Sequence, residues 1–318
     1  MDSTFVVGID VGGQTSKLGV VDARGTVLAQ TVIRTNTYSE IEPFISELAE
    51  AVRKIIVDAG VEGKVRGIGV GAPNGNYYTG TIENAPNLSW GRTKVEFSKL
   101  LSEAMGGMPV ALTNDANAAA VGEMTYGAAR GMKNFIMITL GTGVGSGIVI
   151  NGEVVYGHDG FAGELGHTAA VRNNGRLCNC GKTGCLEAYA SAMGVARTAR
   201  EWIELTDEPS VLRNIDNITS KDVYDAAKDG DELALKIFEF TGKILGRSFA
   251  DFIAFSAPEA IVLFGGLARA KEFLLAPMEE AMNANVLSLW KDKVKIVFSQ
   301  LKESDAAILG ASALAWEL

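Results

Sequence analysis

One pattern of strands and glycines occurs twice in this sequence, and the repeat limits what the chain can fold into. Residues 5–30 (FVVGIDVGGQTSKLGVVDARGTVLAQ) and 135–157 (FIMITLGTGVGSGIVINGEVVYG) both read as strand, glycine-rich turn, strand, short turn and strand. Aligning Asp10 with Thr139 also aligns the first glycine of each turn. Chance similarity between two hairpins is the alternative, but helix and strand patterns follow each copy in comparable order. The sequence therefore predicts a duplicated meander of three strands.

Each copy is followed by alternating helix and strand patterns. After the first copy, the order helix, strand, helix, strand is predicted at residues 40–59, 65–73, 96–105 and 109–115. The second half has predicted helices near residues 116–129, 186–205, 220–228, 231–256, 270–285 and 304–317 and predicted strands at 260–266 and 295–300. Such alternation gives sheets covered by helices. The predicted fold class is therefore α/β, with a βββαβα unit in duplicate.

Duplication of this unit implies two domains that face each other across a cleft. We expect residues 1–115 to form a smaller N-terminal α/β domain and residues 116–303 a larger C-terminal one. The last helix, about residues 304–318, is expected to pack back on the first domain. A cleft between two domains is a common place for a ligand to bind.

The glycine-rich turns of both copies are expected to line this cleft. Glycine leaves the backbone N–H groups bare enough to approach a phosphate closely. The segment GTGVGSG (141–147) does not match the dinucleotide pattern G-x-G-x-x-G, which disfavours a nicotinamide cofactor. A tight turn without a ligand is the alternative for either turn alone, but two facing copies favour phosphate binding.

Composition narrows the class of protein. The 318 residues carry a net charge of -9, and no segment concentrates Lys and Arg, so no nucleic-acid partner is expected. The N-terminal segment lacks the basic region and cleavage site of a signal peptide. The most apolar segment, 252–268, contains Pro258 and Glu259 and is shorter than the roughly 20 residues that span a bilayer. We expect a cytoplasmic protein with no membrane partner.

All three cysteines lie close together in RLCNCGKTGCLEAY (176–189). In a reducing compartment such spacing indicates metal binding or catalysis rather than a disulfide. A closed zinc site needs four ligands, of which Cys178, Cys180 and Cys185 supply three, and His167 is the candidate for the fourth. Reduced loop thiols beside an ordinary polar histidine are the alternative. Zinc bound in this way would be structural, because four protein ligands leave no position for an activated water.

Together these motifs resemble those of sugar kinases of the ROK family, within the actin and hexokinase superfamily. The resemblance covers nearly the whole chain and rests on DVGGQT (10–15), NDANAAA (114–120), GTGVGSG (141–147), ELGH (164–167) and CNCGKTGCLE (178–187). The last motif is the most specific. Gln14 departs from the family pattern, which usually has threonine there, although Thr15 follows directly. The resemblance implies a two-domain actin-like ATPase fold, of the ribonuclease H-like type, with an interdomain cleft.

Asp115 is the candidate general base. It ends an apolar strand and opens an alanine-rich helix, so sheet and helix would hold its carboxylate at the floor of the cleft. Helix capping is the alternative, and the resemblance decides for catalysis because Asp115 matches the family's catalytic aspartate. The helix N-terminus should favour the ionised carboxylate at neutral pH. By resemblance, Asp10 approaches the bound Mg²⁺ or the transferred phosphate.

The remaining candidates bind the two substrates. A hexose presents hydroxyls on every edge, so short polar side chains near the motifs are expected to bind it, although surface solvation is the alternative for each one alone. One ring nitrogen of His167 would bind zinc and the other a sugar hydroxyl. The predicted sugar-binding residues are Asn87, Asn114, Asp115, Glu164, His167 and Glu187. The resemblance implies ATP at Asp10, Gly12, Gly13, Gln14, Thr15, Gly141, Thr142 and Gly143, with the adenosine near Gly265 and Gly266.

The function that the resemblance implies is ATP-dependent phosphorylation of a hexose at its 6-hydroxyl, most simply glucose in glycolysis. A kinase for fructose, N-acetylglucosamine or N-acetylmannosamine is the main alternative, since a few side chains decide between such sugars. A sugar-sensing regulator is disfavoured. Regulators that resemble this family carry a DNA-binding winged helix before the kinase-like part, and we expect none here because the first predicted strand begins near Thr4. Family members form homodimers or homotetramers, and the sequence does not choose between these states or between ATP and another phosphoryl donor.

Overall fold

The computed structural model describes residues 4–318. The first half contains β1 (Phe5–Val11), β2 (Thr15–Val21), β3 (Val27–Arg34), α1 (Ile41–Asp58), β4 (Val65–Gly71), β5 (Gly75–Asn76), β6 (Thr81–Glu83), β7 (Lys94–Val95), α2 (Phe97–Ala104), β8 (Val110–Thr113) and α3 (Asp115–Tyr126). The second half contains β9 (Phe135–Leu140), β10 (Val144–Ile150), β11 (Glu153–Val154), α4 (Glu187–Ala190), α5 (Ala192–Leu205), α6 (Ser220–Lys228), α7 (Glu232–Ser256), β12 (Ala260–Phe264), α8 (Lys271–Asn285), β13 (Lys295–Phe298) and α9 (Glu303–Leu314). Short 3-10 turns lie at Leu165–His167, Val211–Asn214, Gly266–Ala270, Ser288–Trp290 and Ala315–Glu317.

Two five-stranded sheets have the same topology. Their orders are β3-β2-β1-β4-β8 and β11-β10-β9-β12-β13. In both, the three meander strands are antiparallel, the next strand pairs in parallel with the first meander strand, and the last strand pairs in parallel with that one. The duplication predicted from the repeat is confirmed at the level of strand order and direction.

Helices cover the outer faces of these sheets because their apolar residues recur at helical spacing. In α1, for example, Phe44, Leu48, Val52 and Ile55 are all buried and form one stripe that packs into the core of the first sheet. The long helix α7 contributes a comparable stripe to the core of the second sheet and packs against α8. Among residues 4–318, no helix combines the length and the apolar character needed to cross a membrane.

Helices α3 and α9 lie between the two sheets. Helix α9 packs on β1, β2 and β4, while α3 packs on β9 and β10, and the two helices also pack on each other. Their close approach requires glycine, since a Cβ on Gly122 would lie 2.7 Å from Cα of Gly310. The division of the chain into domains at residue 115 stays a prediction. Helix α3, which begins there, packs on elements from both halves of the chain, so it does not mark a boundary.

The structure differs from the expected elements at three places. The helix expected at 186–205 is two helices, because Ser191 is extended and its Oγ caps the second helix by accepting from Gly194 N at 3.0 Å. The small sheet β5-β6-β7 was not expected, since strands of two or three residues show no alternation of apolar residues. The last meander strand of the second copy is also only two residues long.

Candidate active site and metal centre

The two meander copies place equivalent residues on one cavity. Asp10 and Thr139, which the repeat aligns, are each the last residue but one of their strands. Both line a cavity of about 180 Å³, together with Asp115 from α3 and Phe264 from β12. The cleft expected between the two halves is therefore present, and two of its predicted site residues face it.

Asp115 is the first residue of α3, directly after β8. The capping role that the sequence left open for it belongs to Asn114, whose Oδ1 accepts a hydrogen bond from Asn117 N at 2.7 Å. Asp115 Oδ1 accepts from the backbone N–H of Ala116 at 2.8 Å. Among residues 4–318, no side chain donates a hydrogen bond to this carboxylate, so it is available to a ligand in the cleft.

Asp10 and Asp115 both have raised pKa values. The pKa of Asp10 is raised to about 6, chiefly by burial and next by the Asp115 carboxylate, while Lys17 acts to lower it. The Asp115 side chain is exposed to the cleft, but the protein around it still removes enough water from the carboxyl to raise its pKa. The hydrogen bond from the N–H of Ala116 offsets this only in part. The sequence predicted that the helix N-terminus would favour an ionised Asp115. The backbone N–H groups there do lower its pKa, but burial raises it by more.

Glu164, His167 and Glu187 form a group of ionisable residues near Asp115. Burial raises the pKa of Glu164; His167 acts to lower it, and the charges of Asp115 and Glu187 to raise it, so these four groups are electrostatic neighbours. Glu187 Oε2 accepts from Val144 N at 3.0 Å, which attaches this residue to the end of the second glycine turn. The structure thus brings most of the predicted sugar-binding set together.

Asn87 approaches the cleft from the first half of the chain. It is exposed, and its backbone and Cβ pack against Gly13, so that a Cβ on Gly13 would lie 2.8 Å from the Asn87 carbonyl oxygen. This contact joins the predicted sugar-binding segment to the first glycine turn. No side-chain hydrogen bond of Asn87 is formed within residues 4–318.

The predicted metal ligands form one cluster. Cys178 Sγ lies 3.7 Å from His167 Nδ1, and Cys180 Sγ lies 3.7 Å from Cys185 Sγ. All four ligand atoms are within 4.8 Å of one another. Tetrahedral zinc with Zn–S bonds of about 2.3 Å holds two sulfur atoms about 3.8 Å apart. The donor set and its spacing fit zinc.

The predicted nucleotide residues occupy the two turns and the end of β12. Gln14 and Thr15 have exposed side chains, and the Gln14 carbonyl accepts from Thr35 N at 2.9 Å, so the unusual residue anchors β3 through its backbone. Thr142, in the second turn, is exposed. Gly265 lines a cavity of about 320 Å³ and Gly266 a neighbouring one of about 310 Å³.

Sequence reasoning missed two features of this region. Ser146 lies within the motif GTGVGSG, where strand alternation puts it on the opposite face from the flanking glycines, but the motif itself indicates no role for it. Asn76 and Tyr77 contact Asp159 and Tyr156 across the two halves of the chain, and no local pattern indicates that long-range pairing.

The topology and the cavity define a class of protein. Two α/β halves of identical strand order, each lining a shared cleft with the strand that leads into its glycine turn, constitute the two-domain actin-like ATPase fold. Within that class, the ROK family model matches residues 6–317, and the chain belongs to the ROK family.

Three similar proteins illustrate the range of this family. A glucokinase from Halalkalibacterium halodurans is 37% identical, covering 98% of this chain and 94% of that protein. The crystal structure of a ROK family glucokinase from Streptomyces griseus in complex with glucose and AMPPNP has a TM-score of 0.79 and 31% identity, over 99% of this chain and all of that one. A ROK family transcriptional regulator, a homologue of the E. coli Mlc protein, has a TM-score of 0.87 and 26% identity, over 99% of this chain and 78% of that one.

Proposed function

We propose that the protein is an ATP-dependent hexose 6-kinase and that glucose is its substrate. The observation that carries this proposal is the cavity between the two sheets, where Asp115 lies with Asp10 and Thr139, near the ends of the strands that lead into the two glycine turns. A similar protein at 37% identity is a glucokinase, and a solved relative was crystallised with glucose and AMPPNP. The regulator resembles the chain in fold, but it is less similar in sequence and the chain spans only 78% of it.

In the proposed reaction, Asp115 accepts the proton of the sugar 6-hydroxyl as that oxygen attacks the γ-phosphorus of ATP, the bond from this phosphorus to the β,γ-bridging oxygen breaks, and ADP leaves. A raised pKa suits this role, because a base accepts a proton best when its pKa lies near the working pH. Positioning and charge stabilisation supply most of the rate in phosphoryl transfer. Asn114, Glu164 and Glu187 would orient the hexose, and the N–H groups of both glycine turns would hold the phosphates.

Magnesium would be held by Asp10, directly or through water. A carboxylate on a cleft wall beside phosphate-binding turns is the hard oxygen ligand that this ion prefers, and the ion would neutralise phosphate charge. Binding of the cation would also keep Asp10 ionised, although burial raises its pKa.

Zinc would be held by His167, Cys178, Cys180 and Cys185. His167 Nδ1 faces the thiols, which leaves Nε2 for a sugar hydroxyl. The ion would fix the ring orientation and the loop that ends at Glu187, and it supplies no reactive water in this proposal. Reduced thiols and ATP as donor both suit a cytoplasmic enzyme at the entry of glucose into carbohydrate metabolism.

A coupled kinase assay over a panel of hexoses and phosphoryl donors, with the variant Asp115→Asn, tests this function. We expect turnover of glucose with ATP, and a loss of at least about 100-fold in kcat for the variant, the usual effect of removing a general base. Glucose binding by the variant should stay within a few-fold. Asp58→Asn, an exposed position at the end of α1, is the control and should retain full activity. Turnover of Asp115→Asn within tenfold of the parent would exclude Asp115 as the base.

A further inference from the structure

Strand β10 supports two different parts of the site on its two faces. On one face, Cβ atoms added to Gly145 and Gly147 would lie 3.1 Å from Ala116 Cβ and 2.9 Å from Ala120 Cβ, so this face is in contact with α3. On the other face, a Cβ on Gly166 would lie 2.0 Å from the Val144 carbonyl oxygen. Helix α3 begins at Asp115 and is capped by Asn114, and the segment 163–167 contains Glu164 and His167. One strand therefore supports sugar-binding candidates from two directions.

Glu164 is the central residue of an inverse γ-turn. Its backbone angles are φ -78° and ψ 54°, and Leu165 N donates to the Gly163 carbonyl at 2.9 Å. A three-residue turn of this kind is closed by a single bent hydrogen bond, so it holds its central side chain loosely unless other groups brace it. The following contact, from His167 N to the Glu164 carbonyl at 3.1 Å, joins the turn to a predicted metal ligand.

The Ser146 hydroxyl braces both ends of this turn. It donates to the Gly163 carbonyl and accepts from Leu165 N at 3.0 Å, which are the two groups that close the turn around Glu164. Ser146 is 3% exposed, so water does not compete for these bonds. Its position within a paired strand fixes the hydroxyl relative to the sheet, since β10 pairs with β9 at Ser146 and Ile138.

We propose that Ser146 is a positioning residue for Glu164: it fixes the turn that directs this carboxylate into the sugar site. The inference rests on the proposed function, in which Glu164 binds a sugar hydroxyl. Ser146 itself does not touch the sugar. Its loss leaves the Gly163 carbonyl and the Leu165 N–H with only their mutual bent bond, so Glu164 samples more directions and binds the hexose less tightly.

Steady-state kinetics of Ser146→Ala, Glu164→Gln and the double variant, on the full chain, test the proposal. Ser146→Ala should raise KM for glucose by roughly five- to tenfold, the range for losing hydrogen bonds that orient a ligand, while kcat and KM for ATP stay within about twofold. In the Glu164→Gln background, the same substitution should raise KM for glucose less than twofold, because the group being positioned is already impaired. If the two effects multiply instead, Ser146 does not act through Glu164.

A control variant and hydrogen exchange separate this role from general destabilisation. Ser312→Ala removes another fully buried serine hydroxyl, which donates to Leu309 O on α9, and it should lower the melting temperature without changing KM for glucose. In Ser146→Ala the Leu165 amide should exchange at least tenfold faster, and amides of α9 should not change. Unchanged exchange at Leu165 would overturn the proposal even if the kinase reaction is confirmed. Absence of hexose phosphorylation by the parent would overturn only the proposed function, because the exchange measurement needs no substrate.

Discussion

The two carboxyl groups in the central cavity destabilise the fold that holds them. Asp10 is partly buried next to Asp115, and within residues 4–318 the one cationic group that acts to lower its pKa is Lys17. Ionising a buried carboxyl near another negative charge costs free energy. Residues arranged in this way are retained where ligand binding or catalysis needs them, which agrees with the roles proposed for both.

Asp10→Asn should stabilise the protein at neutral pH. The pKa of Asp10 is higher in the folded state, about 6, than its ordinary value of 3.8, so the folded protein holds the proton more tightly. Its contribution to stability is therefore present below about pH 4 and is lost as the pH rises through about 6. Asparagine cannot ionise, so the variant avoids this loss of stability, which is roughly 1–3 kcal/mol. Thermal unfolding should show a higher melting temperature than the parent at pH 7.5 and little difference at pH 4.

Asp22→Asn provides the control with the opposite sign. Although slight burial acts to raise the pKa of Asp22, hydrogen bonds from the N–H groups of Thr26 and Arg24 lower it below its ordinary value. The ionised form therefore stabilises the fold above that ordinary value, and the benefit is lost as the pH falls. Asp22→Asn should lower the melting temperature at pH 7.5. A shift of both variants in the same direction would contradict the electrostatic account.

At the scale of single elements, the contact between α3 and β10 determines where Asp115 lies. Gly147 is the tightest point of this contact: an added Cβ would lie 2.9 Å from Ala120 Cβ and 3.1 Å from the Ala116 carbonyl. Alanine at this position must push the helix away from the strand. The alternation of glycines that suggested phosphate binding therefore has two uses, since Gly141 and Gly143 form the turn while Gly145 and Gly147 admit the helix.

Gly147→Ala should destabilise the protein and move the catalytic helix. Overpacking of this kind costs about 1–3 kcal/mol, so the melting temperature should fall by several degrees. Because α3 carries Asp115, kcat should fall as well. Gly141→Ala is the control, since no atom lies within 4 Å of a Cβ there, and its melting temperature should match that of the parent. Equal melting temperatures for both variants would show that α3 does not press on β10.

The cysteine loop gives a second prediction at this scale. Metal analysis of the purified protein should find about one zinc per chain, since the four ligands match a closed site. Removing the metal with a chelator should lower the melting temperature and raise KM for glucose, because the loop carries His167 and leads to Glu187; added zinc should restore both. Asn179→Ala, an exposed neighbour, should retain the metal, whereas Cys180→Ser should lose most of it. A zinc-free preparation with full activity and stability would refute the site.

Local patterns predicted most elements, and the failures have local causes. Glycine turns and apolar runs indicated both meanders, and the alignment of Asp10 with Thr139 predicted their equivalent places on the cleft. The break at Ser191 was missed because serine is tolerated inside a helix, and only its hydrogen bond to Gly194 marks it as a cap. The brace on Glu164 was missed because Ser146 and Leu165 are far apart in sequence, so their contact depends on the packed fold.

At the scale of the whole molecule, two contacts join the halves of the chain; they link Asn76 and Tyr77 to Asp159 and Tyr156 and are called the rim contacts. Asn76 Nδ2 donates to the Asp159 carbonyl at 2.7 Å, and the rings of Tyr77 and Tyr156 stack with centroids 4.1 Å apart and an angle of 3° between their planes. A stacked pair contributes about 1 kcal/mol, and a hydrogen bond adds about as much. Together they shift an equilibrium between linked and separated halves by tenfold or more.

The double substitution Asn76→Ala with Tyr77→Ala should therefore open the cleft. In the absence of sugar, small-angle X-ray scattering should give a larger radius of gyration than the parent, and saturating glucose should reduce the difference, because a hexose bound by residues from both halves restores the link. KM for glucose should rise several-fold, since part of the binding energy now closes the cleft. The control Leu205→Ala, at a largely exposed position at the end of α5, should change neither quantity. If the double variant scatters like the parent and binds glucose as tightly, these rim contacts do not hold the two halves together.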